Sequence, residues 1–587
     1  MRPKTLRLLS CAVLLAVAPA LAAVKNPDTF VMLSVNDPDS LDPAWSYDGG
    51  SHNLILNIYE TLFSFDGPRL DPASLSPRLA AKVPTHANGL VSSDGLTYRI
   101  AIRKGVKFHD GSELVPEDVR YSLLRFMLSD RPAGPASLLL DPILGLGTTR
   151  PDGVLREDAY DLAAKAVTVD GDDVVIRLAK PFAPFPSVLS NYGAIVSQKW
   201  CAAHGQWDGR PETWKKYNNP SRPDMIPSTE ANGTGPFKLE RYDPVARQTV
   251  LARFDGYWRG PAKLARVYVK TVPEFATRKL MLSVGDADSI YETPLNRPQF
   301  DGLAGVQVID GLQMLKMGSM IGFNFKINPV ANENIGSGKL DGDGIPPDFF
   351  TDKDVREAFA YSIDYDAYLR DVLRGQARRP VGVIPEGMLG HLERPPKYVF
   401  DLKRAEDHFR RAHGGKLWEK GFKLKTAVSA GADMNLAVMQ VLKRGVESVN
   451  PKFSIEIRQL QSSSTLAEVR ARKVPIFLEG WTADYPDPHN FVFPYYDTDG
   501  YYPTQEGYSN PEIDRLIAEA SSESVPARRA ALYVRIQDLA EEDLPVLGIS
   551  VERSFRAQRS WVKGFVFKPT FPEMPHGSDY YDLSKSE

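Results

Sequence analysis

Cysteine is almost missing from this 587-residue sequence; there are two, Cys11 and Cys201. Cys11 falls in a leader. Arg2, Lys4 and Arg7 give it a basic start, Cys11 to Pro19 is an apolar stretch too short to cross a bilayer, and Ala20-Leu21-Ala22 is a cleavage signal. Residues 1–22 are therefore expected to be a signal peptide, removed from an exported mature chain. Leu8-Leu9-Ser10-Cys11 is not expected to be a lipid-attachment site, because the apolar segment follows the cysteine instead of preceding it. Cys201 then stands alone, which excludes an intramolecular disulfide and a cysteine-based metal site. A chain of this size has to stand on its core. Long apolar runs are missing too: no later stretch approaches the roughly 18 apolar residues of a membrane span. Neither sign of charge dominates, with 71 basic against 74 acidic residues and a net charge of −3. Loss of the leader makes the balance more negative, which argues against a nucleic-acid partner. No His-Glu-x-x-His and no Gly-x-Ser-x-Gly occurs, so the usual metalloprotease and serine-hydrolase signatures are absent. Gly233-Thr234-Gly235 is not a phosphate cradle, since Pro236 removes an amide donor and no Gly-Lys-Ser/Thr follows.

What is present reads as α/β. Residues 30–34 form a first strand, and Leu54, Ile55, Ile58 and Tyr59 share one face of a helix. Leu96 to Arg103 alternates as a half-buried strand, with a second short strand at 106–108 before Asp110-Gly111. Pro116-Glu117-Asp118 opens a helix that lacks a side-chain cap at Val115. Residues 131–160 read as irregular, and a hairpin turns at Asp170-Gly171-Asp172. Further strands are expected at 249–254, 265–271, 320–325, 453–460 and 546–551. Helices are expected at 274–282, 405–412 and 436–446, behind Thr351-Asp352-Lys353-Asp354 as a capping box, and after Asn510-Pro511 and Pro526. The polar loop 329–349 contains Asp341-Gly342-Asp343-Gly344, but Ile345 and Asp352 stand where a calcium loop needs an oxygen ligand and a glutamate. The nine histidines are dispersed, and His408 and His413 are expected to face solvent.

The segment Gly480 to Phe491 carries the functional reading. It follows an apolar run, Val474 to Leu478, that reads as a buried strand. Gly480 allows close backbone approach, and Pro486 and Pro488 impose a stiff extended loop. Trp481 and Asp484 are thus held at a strand end, where open α/β sheets place their ligand crevices. A carboxylate beside aromatic rings suits an ammonium group. The alternative is that Asp484 and Asp487 only close turns. Tyr47 either packs on the neighbouring helix or faces the same crevice, and Tyr192 lies in a stretch that can contribute pocket wall.

Taken in order, several short pieces resemble the periplasmic dipeptide- and oligopeptide-binding proteins of ABC importers, the family 5 extracellular solute-binding proteins. They are Ser40-Leu41-Asp42-Pro43, Asp94-Gly95-Leu96-Thr97-Tyr98, Phe108-His109-Asp110-Gly111, Pro116-Glu117-Asp118-Val119, Gly233-Thr234-Gly235-Pro236, Tyr257-Trp258-Arg259-Gly260, Gly285-Asp286-Ala287-Asp288, Phe323-Asn324, Val355-Arg356-Glu357-Ala358 and Gly480-Trp481 to Pro488. The resemblance covers nearly the whole mature chain. It implies a two-lobed clamp: a first lobe over 23–290 with an extra subdomain at about 63–185, a second lobe over 291–547, and a return at 548–587. It also implies a periplasmic, monomeric carrier without catalysis, cofactor or bound metal, which delivers a peptide to a membrane permease. Asp484 takes the position that pairs a peptide ammonium, with Trp481 and Asn324 near the cleft. No residue is assigned to the peptide carboxylate. The same clamp could carry an oligosaccharide, an opine, haem or a nickel chelate; a secreted hydrolase and a chaperone are the rivals outside transport.

Overall fold

The computed structural model describes residues 24–221, 225–570 and 576–587; the expected signal peptide lies outside the described residues. Among them, no helix is long and apolar enough to cross a membrane.

In the first lobe, β1 (Thr29–Ser34) leads to α1 (Gly49–Ile58). Asp48 caps that helix by accepting from the Ser51 N–H at 2.8 Å. A small antiparallel sheet follows, made of β2 (Thr97–Ala101), β3 (Val167–Asp170) and β4 (Asp173–Arg177), with α2 (Pro116–Leu128) against it. The main sheet resumes with β5 (Phe237–Asp243), β6 (Gln248–Arg253), β7 (Arg266–Thr271) and β8 (Ser289–Ile290). The turn feeding β5 needs both its glycines. A side chain at Gly233 or Gly235 would collide with the Ile58 carbonyl, to which the Gly235 N–H donates at 2.9 Å.

Two strands then leave the first lobe, β9 (Val306–Gln313) and β10 (Lys316–Phe323). The second lobe holds α3 (Lys353–Tyr361), α4 (Leu402–Arg411), β11 (Phe422–Ser429), α5 (Asp433–Val449), β12 (Phe453–Leu460), β13 (Ile476–Thr482), α6 (His489–Tyr496), α7 (Pro503–Glu506), α8 (Pro511–Ser522) and α9 (Pro526–Asp543). The chain returns on β14 (Val546–Arg559). The resulting sheet runs β13-β10-β14-β8-β1-β7-β6-β5, with β9 also beside β14. β14 joins its two halves. Its start opposes β10 (Val546 to Gly322, Ser550 to Ser319) and its end opposes β9 (Arg553 to Gln313, Arg559 to Val306). β9 and β10 thus form one path antiparallel to β14, broken at Met314-Leu315 and carrying register shifts on both sides. One core gathers Leu54, Ile58, Phe126 and Val174 in the first lobe; two others lie around Phe359 and Phe422, and around Tyr495 and Ile513, in the second.

Several expectations need correction. Residues 106–108 do not form a strand; Lys107 makes a single bridge to Glu113. Ser137–Leu144 is helical inside the stretch read as irregular, because its leucines reach the first core. The cap of α3 is Asp352, accepting from the Asp354 N–H at 2.9 Å, one residue after the position read from sequence. β11, paired in parallel with β12, went unread. The loop 329–349 packs on the second core: Ile335, Ile345 and Phe349 are buried, and Lys423 ties Asp343 to β11 at 2.7 Å.

Candidate functional site

β13 is buried where it leaves the second core, and Gly480 lies close to β10: an added Cβ would sit 3.1 Å from the Gly318 carbonyl. The strand continues through Trp481 to Thr482, opposite Lys316 and Met317 of β10. The stiff loop is shorter than expected, because Pro488 already has helical backbone and α6 begins at His489. Two side chains fix this loop. Asp487 is buried and takes two bonds of 2.7 Å from the Arg529 guanidinium on α9, and it caps α6 through the His489 N–H at 2.9 Å. Asn490 accepts from the Trp481 indole at 3.1 Å and from the Asp484 N–H at 2.8 Å through one oxygen.

Asp484 is thereby aimed at the other lobe. Its Oδ1 accepts from the Tyr47 hydroxyl at 2.7 Å, and its main-chain carbonyl accepts from the Asn191 amide at 3.0 Å. Its Oδ2 receives only a long bond from Asn490, at 3.4 Å. Withdrawal from water pushes the Asp484 carboxyl above the usual range, opposed by the bonds from Tyr47 and Asn490. The same withdrawal, reinforced by the Asp484 charge, raises the Tyr47 phenol, which stays a donor. Tyr47 nonetheless keeps 42% of its surface exposed, so its ring is open to solvent while its hydroxyl turns inward. Tyr192 stands behind it, edge-on at 6.2 Å and stacked on His52 at 4.9 Å. Around this contact the lobes touch again: Phe182 packs on His489 at 5.1 Å, and the Ala183 N–H donates to the Ser521 carbonyl at 2.7 Å.

A cavity of about 670 Å³ opens beside this closed edge. Gly49 and Tyr291 to Leu295 line it from the first lobe, Gly431 to Asn435 at the start of α5 from the second, and Lys316, Gly318, Thr482, Glu552 and Ser554 from the crossing strands. Strand alternation explains the set: Lys316 and Gly318 face the cavity, while Met317 between them lines a different hollow on the reverse face. Among the described residues, Lys316 is the lone lysine or arginine on the cavity wall and makes no ion pair. Its register partner is Thr482, so Asp484 lies two residues, or about 7 Å, further along the same edge.

The structure brings Tyr47, Tyr192, Trp481 and Asp484 together at the closed edge, and none of the four lines the cavity itself. Trp481 is half-buried, with Tyr501 and Tyr502 at 5.8 and 6.3 Å. It does not bring Asn324. That residue follows the far end of β10, seven residues or about 23 Å from the Trp481 pairing. It is fully buried, its amide donates to the Arg472 and Val474 carbonyls at 3.1 Å each, and its oxygen accepts from the Lys326 N–H at 3.0 Å. Its bonds hold the turn after β10. Lys316, Asn191 and Asn490 were not found by sequence reasoning. Only Lys316 left a signal, as the single cation between Gln313 and Phe325. Histidine placement also differs: His408 is packed between α3 and α4 against Asp354, and His413 stacks on Phe349.

The model of the bacterial extracellular solute-binding proteins, family 5, matches residues 74–503. The chain belongs to this family. It is similar to the glutathione-binding protein GsiB of Salmonella typhimurium, 25% identical over 574 residues and covering 96% of each chain. It is similar to the probable D,D-dipeptide-binding periplasmic protein DdpA of Escherichia coli, 23% identical over 563 residues and covering 95% of each. Among solved structures it resembles the periplasmic binding protein DppA of Helicobacter pylori in complex with the peptide STSA, at 22% identity and a TM-score of 0.69, covering 95% of this chain and 98% of that one. The architecture is the two-lobed clamp of periplasmic binding proteins.

Proposed function

We propose that the protein captures short peptides between its lobes and delivers them to an ABC permease, without chemistry of its own. The observation that carries this reading is the strand end at which Lys316 opens onto the cavity opposite Thr482, two residues before Asp484. A carboxylate withdrawn from water pairs well with an ammonium, and a lysine without an internal partner offers a counter-charge to a carboxylate. A short zwitterionic peptide has both ends. The cavity volume of about 670 Å³ falls inside the range of roughly 300–1,000 Å³ usual for small-ligand sites. The names of GsiB, DdpA and DppA point to peptide cargo in relatives. We place the lobe boundaries at Met314-Leu315 and near Val551, where β9 gives way to β10 and β14 changes partner, instead of at 291 and 548.

Native mass spectrometry of the protein as purified tests the cargo class, because a closed clamp retains its ligand. The expected result is a released mass that fragments as a peptide. A sugar, an opine, haem or a metal chelate as the released species would overturn the reading in favour of another cargo.

A further inference from the structure

The second lobe carries a cluster of metal-ligating groups that lines no part of the cargo cavity. Asp354 and Glu357 are three residues apart on α3, so they share a face. His408 on the neighbouring α4 points between them. Its Nδ1 lies 2.7 Å from an Asp354 oxygen and 3.3 Å from a Glu357 oxygen. Arg411, one turn further along, donates to the same Asp354 oxygen at 2.9 Å, and its Nη2 also lies 2.7 Å from His408 Nδ1.

This set of contacts is internally incompatible. Facing two carboxylates, Nδ1 has to donate a proton; facing a guanidinium, it has to accept one. An imidazole nitrogen does one or the other. A cation held jointly by the three ligand atoms removes the conflict, once the guanidinium withdraws. The ligand atoms lie within 4.8 Å of one another, and metal–ligand bonds of about 2.0–2.2 Å in a tetrahedron set them about 3.3–3.6 Å apart, so the 3.3 Å His408–Glu357 separation already fits and the 2.7 Å His408–Asp354 contact opens slightly as the ion enters. Arg411 can withdraw, since its side chain is 54% exposed. Surrounding groups orient the ligands: the Tyr398 hydroxyl donates to the other Glu357 oxygen at 3.3 Å, and the Tyr361 ring stacks on the imidazole at 5.5 Å.

We propose that Asp354, Glu357 and His408 form a binding site for a divalent metal of the zinc class, in which Arg411 is the internal cation that the metal displaces. One imidazole and two carboxylates suit zinc, with the remaining position left to water. The bound ion clips α3 to α4 on the flank of the second lobe. The proposal is independent of the cargo reading.

Zinc chloride titrated by calorimetry into the metal-free, untagged mature protein tests it. The expected result is one ion per chain. His408→Ala and Glu357→Gln should each weaken binding by at least about tenfold. Arg411→Ala should tighten it, because a competing cation is gone; a merely structural ion-pair cluster gives no such gain. Circular dichroism checks that each variant is folded, and Glu357→Gln serves if His408→Ala is not. No stoichiometric binding, binding unchanged by both ligand substitutions, or weaker binding in Arg411→Ala would overturn the proposal.

Discussion

At the scale of single residues, two acids decide how the protein responds to pH. Asp484 can pair an ammonium, as proposed, only when ionised, and its carboxyl is held above the ordinary aspartate range by burial. Peptide affinity should therefore fall as pH drops, and the loss should begin above the pH at which an ordinary aspartate protonates. Asp484→Asn should be weak and flat with pH over the same interval, as read by titration calorimetry. Lys316→Ala should weaken a free peptide and leave its C-terminal amide unaffected; equal losses for both would remove Lys316 from the carboxylate end. The second acid belongs to a pair. Glu479 on β13 and Glu506 on α7 are both buried, and both crowd the space above Gly322. Burial pushes Glu479 up to about 8, and its charge acts with burial to raise Glu506 further. The folded chain thus holds a proton that the unfolded chain, with glutamates near 4.3, gives up. The contribution of this pair to stability is full at low pH and is lost as pH rises from about 4.5 through 8. Thermal unfolding followed from pH 5 to 9 should show this decline, and Glu479→Gln should flatten it.

At the scale of elements, the loop between β13 and α6 is positioned by the bidentate pair Asp487–Arg529. Asp487→Ala leaves a guanidinium buried without its partner and should cost about 3–5 kcal/mol of stability, measured by urea unfolding. This pair also shows where sequence reading stops. Asn510 and Pro116 announce helices because a start signal lies within a residue or two of the helix it opens. The Asp484 strand end was likewise visible from its apolar run, glycine and prolines. Asp487 and Arg529 are 42 positions apart, and nothing local distinguishes Asp487, which is locked to α9, from Asp484, which faces the gap. β11 differs: Phe422, Leu424, Thr426 and Val428 are buried in alternation with Lys423 and Lys425, so the strand itself was legible, and only its parallel partner β12, behind an intervening helix, was not. Asn324 was assigned to the cleft by resemblance, but its amide is spent on the turn after β10.

At the scale of the whole molecule, the clamp turns on two adjacent antiparallel paths, β9–β10 and β14. The cavity sits directly on them, so a ligand there touches the crossing strands and both lobes at once. Closure is favoured to the extent that those contacts exist only in the closed state. Tyr47 and Asn191 of the first lobe already reach Asp484 of the second. In the proposed binding mode the ligand ammonium joins an existing closed edge, at the oxygen of Asp484 that Tyr47 leaves underused. The central claim is that this acid supplies the charge pairing. Calorimetric titration of the wild type and of Asp484→Ala with the peptide identified in the purified protein, free and N-acetylated, tests it most directly. The expected loss in Asp484→Ala is about 3–5 kcal/mol for the free peptide, roughly a hundredfold to several thousandfold in Kd, with little further loss on acetylation. Equal affinity of wild type and Asp484→Ala for the free peptide would contradict it.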